Sequence, residues 1–406
     1  MPKIINCFLF IFPVIGLIAG LSLGATIPIF VLMILCIIRK DLRINFNNYK
    51  IDFLFFSFLL LSIFWSIDPI KSANSLFTII CIYLLFMALM QNISVINKKI
   101  YISERNLFYS LFAAILLFSF ELLTDGSIST AFRQLTQNKT DYQFYLYYLD
   151  RGCAFITLFA WVVIAALLAQ KKYSLSIITY LAILIMLSFS DSFAGFLSFF
   201  ISGIVFILTQ YFPFKNCRTL SIMLILGSFI FTGLSFKMDP LEASDNANFL
   251  PLSAKHRLFI WSYSAEKIIK KPLLGWGHGA SRHFKIDDAE MINYQGHLLH
   301  PLPTHPHNNI IQILLENGFI GLILYLTLIC KYLFQWDNLF KNKLNEPSIV
   351  SMKYVRSAGY ACFSAYFLIS MISFNMWQIW WLCSYLFAAF MLAQIAVSAL
   401  HSHFSK

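Results

Sequence analysis

Charged side chains are scarce in this sequence. Asp, Glu, Lys and Arg make up 12% of its 406 residues, against about 25% in a soluble protein, so it lacks the polar surface that a water-soluble fold of this length needs. Acidic residues are the scarcer kind, 19 against 30 basic ones, a formal balance of +11. That excess is spread over short segments between apolar runs and does not gather on one soluble domain, so topology explains it better than a nucleic-acid partner does. The eight cysteines (Cys7, Cys36, Cys81, Cys153, Cys217, Cys330, Cys362 and Cys383) lie in or beside apolar runs, and none falls in the long segment before His307. Their placement argues against a disulfide framework or a cysteine metal site. Nucleophile-elbow, Walker and dinucleotide patterns are missing, as are internal repeats and low-complexity tracts.

What is abundant is apolar: 59% of the residues, in runs of roughly 16 to 22, the length that crosses a hydrocarbon core of about 30 Å as a helix. An open sheet cannot satisfy its backbone in lipid, and the Phe-, Leu- and Ile-rich runs do not alternate as barrel strands do. The expected fold is all-α, a polytopic transmembrane helix bundle of about twelve spans: 5–22, 25–38, 52–66, 75–91, 107–123, 152–169, 173–189, 194–212, 219–236, 309–333, 355–374 and 378–398. The first run, with Lys3 before it and Leu23-Gly24-Ala25 after it, resembles a signal peptide. It is longer than a usual apolar signal core and the next run follows at once, so a retained hairpin is expected.

Charge orients the bundle. With the N-terminus inside, the inner segments hold Lys3, then Arg39, Lys40, Arg43 and Lys50, then Lys98, Lys99 and Arg105, then Lys171 and Lys172, then Lys215 and Arg218, and finally Lys341, Lys343, Lys353 and Arg356. The short outer connections contain one basic residue, Lys71, as the positive-inside rule requires. Residues 124–151 and 237–308 then face outward. The organisation expected is a bundle over 1–236, a large outer loop over 237–308, and a C-terminal transmembrane segment over 309–406. Within the loop, His256 to Lys271 carries Leu258, Trp261, Ala265, Ile268 and Ile269 at helical spacing, which predicts an amphipathic helix on the membrane surface. Pro272 with Gly275, Gly277 and Gly279 ends it in a tight loop.

Seven of the nine histidines lie between His256 and His307. His305 and His307 stand where the outer loop meets a span, and a neutral imidazole there can take a proton from a hydroxyl. The helix that follows carries Asn308, Gln312 and Glu316 at i, i+4 and i+8, with Asn309 and Asn317 beside them, a polar face that must look inward. The plainer alternative is that Asn308 caps the helix and Gln312 and Glu316 pair with neighbours. Gly318 and Gly321 let a neighbouring helix approach closely. Arg257, Arg151, Arg133 and Arg282 are outer arginines suited to a phosphate, although Arg151 can instead pair with Asp150, and Arg257 can snorkel from an interfacial helix. Lys267, Lys270 and Lys271 suit anionic headgroups. The histidine spacings include no helical H-x-x-x-H with an acidic partner, so no metal is expected.

His307-Asn308, nine residues, Gly318, two residues, Gly321 resembles the H-N-x9-G-x-x-G signature of the O-antigen ligase and polymerase superfamily, bacterial inner-membrane glycosyltransferases. Arg257 and Trp261 ahead of Pro272-Leu273-Leu274-Gly275-Trp276-Gly277 resemble a second stretch of that family. One departure stands out: where many members have a Ser-Arg pair, this chain reads Ser190-Asp191-Ser192-Phe193-Ala194, and Arg151-Gly152 is the candidate to supply the missing cation.

The resemblance implies a GT-C-like fold and a site facing the periplasm, and it implies transfer of a glycan from undecaprenyl diphosphate to a lipid A-core sugar hydroxyl. The transfer would be inverting and independent of metal or other cofactor. His307 would be the base, Arg257 and Arg151 would hold the diphosphate, and Asn308, His305, Gln312, Glu316 and Trp261 would support them. A polymerase that joins lipid-linked repeat units is the alternative. A secondary transporter is the reading from another class, disfavoured by the absence of symmetric halves.

Overall fold

The computed structural model describes residues 2–100, 102–137, 143–211, 216–247, 250–340 and 350–404. Lys215, Lys341 and Lys343, counted above as inner charges, and residues 138–142 of the first outer segment lie outside the described residues. The chain opens with α1 (Pro2–Ile18), α2 (Leu23–Ile38), α3 (Lys50–Ser62) and α4 (Pro69–Gln91). Next come α5 (Ile93–Lys99), α6 (Glu104–Leu123), α7 (Ser127–Gln137), α8 (Asp150–Ala169), α9 (Tyr173–Ser188), α10 (Phe193–Tyr211) and α11 (Asn216–Lys237). After α12 (Pro240–Asn246) and α13 (Leu252–Lys270), a short hairpin, β1 (Ile292–Tyr294) with β2 (His297–Leu299), leads to α14 (Asn309–Asn338), α15 (Val350–Ile372) and α16 (Ile379–Phe404).

Among the described residues, ten helical segments are long and apolar enough to cross a membrane, and two shorter apolar helices, Ile4–Ile18 and Tyr173–Ser188, fill the remaining places among the twelve expected runs. The protein is an all-α, multi-pass membrane protein. The two short helices are explained by length: α9 has 16 residues, about 24 Å of helix against a core of about 30 Å.

Among the described residues, two large cores organise the bundle. The larger surrounds α8, buried from Gly152 to Leu168 and enclosed by α1, α6, α9, α15 and α16. Within it Trp161 Nε1 donates to Ser202 Oγ of α10 at 2.9 Å, and the Phe159 and Phe387 rings lie parallel. The smaller core surrounds α14, against α3, α11 and α13, and it carries the histidine segment.

The amphipathic helix begins at Leu252, four residues earlier than its sequence pattern suggested, directly after Pro251. Much of its apolar face is taken up by protein, while Ile269 stays 62% exposed. Phe259 packs on Tyr294 of the hairpin, Trp261 meets Phe231 of α11 edge-on, and Ile260, Ala265 and Ile268 are buried. The hairpin itself was not anticipated. Its turn residues Gln295 and Gly296 have φ of 52° and 80°, the left-handed pair that tight hairpins use.

At the end of α14 farthest from His307, Asp52 of α3 is 1% exposed. It accepts from Tyr83 and Tyr332 (2.5 Å each) and pairs with Lys331. This cluster ties α3 and α4 to α14. Removing one partner of a buried pair strands the other charge, at a cost of about 3–5 kcal/mol, whereas removing both is far milder. Lys331→Met is therefore expected to lower the thermal midpoint of the detergent-solubilised protein sharply, and Asp52→Leu in the same chain to restore most of it. Equal midpoints for single and double variants would show that the pair does not hold the helices.

Candidate functional site

The site is built on a break in α14. Gly318 has φ 62° and ψ −167°, a conformation open only to glycine, and it separates residues 309–317 from the long remainder of the helix. A broken helix frees backbone groups that lipid cannot satisfy. Here the loop after α13 satisfies them. Phe319 N donates to Pro272 O (2.8 Å) and Ile320 N to Leu273 O (3.2 Å), while Trp276 N and Gly277 N donate to Leu315 O (2.9 Å) and Glu316 O (2.7 Å). Gly275 and Gly277 adopt φ of 66° and 92° to make that approach. The small side at Gly318 thus admits this loop and not the neighbouring helix expected from sequence. Gly321 does face a helix, through Phe58 of α3.

Just before the break stands Glu316, fully buried. Its Oε1 accepts from Ser281 Oγ (2.6 Å) and Gln312 Nε2 (3.1 Å), and its Oε2 from Gly279 N (3.1 Å) and Trp377 Nε1 (2.7 Å). Four donors from three stretches of chain meet on one carboxylate. Asn308, Asn309, Gln312 and Asn317 are buried with it. Asn308 caps the helix, its Oδ1 accepting from Ile310 N and Ile311 N at 3.0 Å each, and its Nδ2 donates to Met371 O at 3.2 Å.

His307 sits in the turn ahead of this cap with φ 51°. Its amide donates to His305 Nδ1 at 3.0 Å and the two rings lie 4.1 Å apart. Its own Nδ1 lies 2.7 Å from the carbonyl oxygen of Ser373. A carbonyl only accepts, so Nδ1 carries the proton and Nε2 keeps a lone pair. Burial pushes the His307 pKa down to about 4, aided by the fields of Arg257 and His256 and opposed by the Ser373 bond. Burial, with His307, Arg282 and Arg257 nearby, takes His305 to about 2. Both rings are neutral at physiological pH.

Helix α13 supplies the flank. Trp261 Nε1 donates to Pro306 O (2.9 Å) and His256 Nε2 to His300 O (2.7 Å), which holds the turn from behind. One turn before Trp261 stands Arg257, whose Nη1 donates to Ser253 O (3.3 Å) and whose Nε is buried without a partner. Arg257 and Arg282 are thus the outer arginines whose fields reach the histidine pair. Arg151 belongs to another group. Its charged neighbours are Arg133 and Asp150, and Asp150 in turn feels Asp191 of the Ser190–Ala194 turn. Asp150 keeps one buried oxygen, Oδ1, without a partner.

His278 is fully buried with both ring nitrogens unpartnered and its ring 4.7 Å from Trp377; burial takes its pKa to about 3. Among the described residues, no three His, Cys, Asp or Glu side chains come together as metal ligands.

Below the site, an apolar cavity of about 420 Å³ runs between α3, α4, α14, α15 and α16, from Trp377, Met376 and Tyr325 to Tyr83, Tyr332 and Gln91. Sequence reasoning missed Ser281, Ser373 and Trp377. The first two act through groups that every chain has in plenty. Trp377, in Asn375-Met376-Trp377-Gln378 between two apolar runs, reads as an ordinary interfacial aromatic.

Comparison with known proteins places these features in a family. A sequence profile described as O-antigen ligase matches residues 176–326, the stretch from α9 through the break in α14. The chain is 37% identical over 408 residues to a Rickettsia typhi protein named "Putative polysaccharide ligase", covering 95% of each. It is 37% identical over 410 residues to a Rickettsia felis protein of the same name, again 95% of each, and 37% identical over 406 residues to one from Rickettsia bellii, 93% of this chain and 94% of that one. With a likeness that extends over nearly its whole length and a helix break framed by the His307, Gly318 and Gly321 pattern, the chain belongs to the O-antigen ligase family.

Proposed function

We propose that this protein is a glycosyltransferase of the bacterial inner membrane that moves a glycan from undecaprenyl diphosphate to a lipid A-core hydroxyl on the periplasmic face. The observation that carries the reading is the pairing of His307, whose Nε2 lone pair is left free by the Ser373 bond, with Arg257, whose Nε lacks a partner. The donor already has a good leaving group, so the protein has two tasks: to accept the acceptor's proton and to stabilise the departing charge. The acceptor O–H proton passes to His307 Nε2 as the hydroxyl oxygen bonds to the anomeric carbon. On the opposite face the bond from that carbon to the phosphate oxygen breaks, and its electron pair leaves with undecaprenyl diphosphate. The configuration inverts.

Arg257 and Arg282 meet the diphosphate charge in place of a metal. Arg151, whose neighbour Asp150 feels Asp191 of the turn where the family's Ser-Arg pair is missing, is the candidate for a further cation. His305 holds the His307 amide, Trp261 the turn, and Asn308, Gln312 and Glu316 the helix start. The apolar cavity that begins at Trp377 takes the polyprenyl tail.

The test is transfer in liposomes from an undecaprenyl diphosphate glycan to core-bearing lipid A, with chelator present. His307→Ala is expected to lower turnover by about 10²- to 10⁴-fold, and Arg257→Ala to cost about 2–4 kcal/mol of transition-state stabilisation, felt in kcat/KM. Full activity in the His307 variant removes it as base, and elongation of donor chains without acceptor identifies a polymerase. The pH profile is a second check. Because His307 acts unprotonated and burial lowers its pKa, kcat/KM is expected to hold through pH 6 and to fall only as pH drops toward about 4. An acid limb near the ordinary imidazole value would mean a solvated base, not this one.

A further inference from the structure

The hydrogen bond that leaves Nε2 of His307 free comes from a segment with no ionisable residue of its own, the connection between α15 and α16. α15 ends at Ile372, and two carbonyls at that end receive side-chain donors from the start of α14: Met371 O from Asn308 Nδ2, and Ser373 O from His307 Nδ1. The last carbonyls of a helix lack intrahelical partners and carry its partial negative charge. They therefore suit a histidine that must present one nitrogen protonated and later carry a positive charge.

What fixes this end relative to α14 is Trp377. Its indole Nε1 donates to Glu316 Oε2 at 2.7 Å. Its ring abuts the buried His278 ring at 4.7 Å, and its amide donates to Asn375 Oδ1 at 2.7 Å, closing the connection on itself. Ser373 N is held in turn by Ile369 O at 2.8 Å. The Ser373 carbonyl is thus pinned on one side by the end of α15 and on the other by an indole anchored to a carboxylate of the same helix that His307 precedes.

We propose that Trp377 is a positioning residue: through Glu316 it holds the Ser373 carbonyl against His307 and so selects the imidazole tautomer with the proton on Nδ1. This rests on the reading of His307 as the base for its consequence in catalysis, but not for the tautomer itself. Without the indole N–H the connection loses its tie to α14, the carbonyl drifts, and His307 is free to carry its proton on Nε2, where it can accept nothing from a hydroxyl.

The experiment uses the full chain labelled with ¹⁵N-histidine in liposomes, with the His307 signals assigned by their disappearance in His307→Gln. In the wild type, solid-state NMR is expected to show His307 with Nδ1 protonated and Nε2 bare. Trp377→Phe should give a mixture of tautomers and lower kcat by up to about 100-fold, the cost of a small misplacement at a reacting group. Ser281→Ala removes a different donor to Glu316 and should leave the tautomer as in the wild type. Should the phenylalanine variant fail to fold, benzothienylalanine at position 377 keeps the shape of the indole and removes only the N–H. A single Nδ1-protonated tautomer in either Trp377 variant overturns the proposal, as does an equal shift in Ser281→Ala. A tautomer shift with kcat unchanged upholds the tie and overturns His307 as base.

Discussion

A carboxylate buried at the edge of a membrane bundle is costly unless every lone pair finds a donor, and the site depends on how Glu316 meets that demand. Ser281 and Gly279 come from the loop after α13, Gln312 from one turn earlier in α14, and Trp377 from the connection between α15 and α16. The carboxylate therefore fixes three stretches of chain in one arrangement. Satisfied networks of this kind rigidify a core, and losing one member leaves the others unpaired. The His307 turn enters the same helix through the Asn308 cap.

The second demand is made by the backbone. Breaking α14 at Gly318 would leave amides and carbonyls unpaired, and the Pro272–Gly277 turn supplies their partners, two carbonyls and two amides. This accounts for two glycine-rich stretches with one geometry. Gly275 and Gly277 let the loop come close, and Gly318 lets the helix open to receive it. The break also separates the segment that carries the polar residues, Asn309 to Asn317, from the longer apolar part of α14.

Charge is distributed to match. The histidines nearest the site are kept neutral by burial, while arginines stand beside them. A neutral base next to fixed cations is the arrangement that suits a negatively charged donor and a hydroxyl acceptor together, since protonated histidines would repel the arginines and lose the lone pair.

Much of this was legible in the sequence. Hydropathy alone marks the apolar runs, because a helix in lipid must be apolar over its whole length, and only the lengths of α1 and α9 fell short. The i, i+4, i+8 spacing of Asn308, Gln312 and Glu316 placed them on one face, and the spacing from His307 to Gly321 pointed to the family. Other features stayed hidden. The apolar pattern runs unbroken through Gly318, since hydropathy does not register a backbone angle, so the break looked like a place for helix packing. The apolar face of α13 looked like a membrane face because amphipathicity states that something apolar covers it, not what. The partners of the two decisive side chains, Ser373 for His307 and Trp377 for Glu316, lie 66 and 61 residues away. The sequence by itself determined the helices, their apolar faces and the identity of the polar groups, all of which follow from local composition and period. Only the tertiary structure decided which nitrogen of His307 is free and which residues hold it so, because a hydrogen bond between remote segments depends on how the chain closes between them.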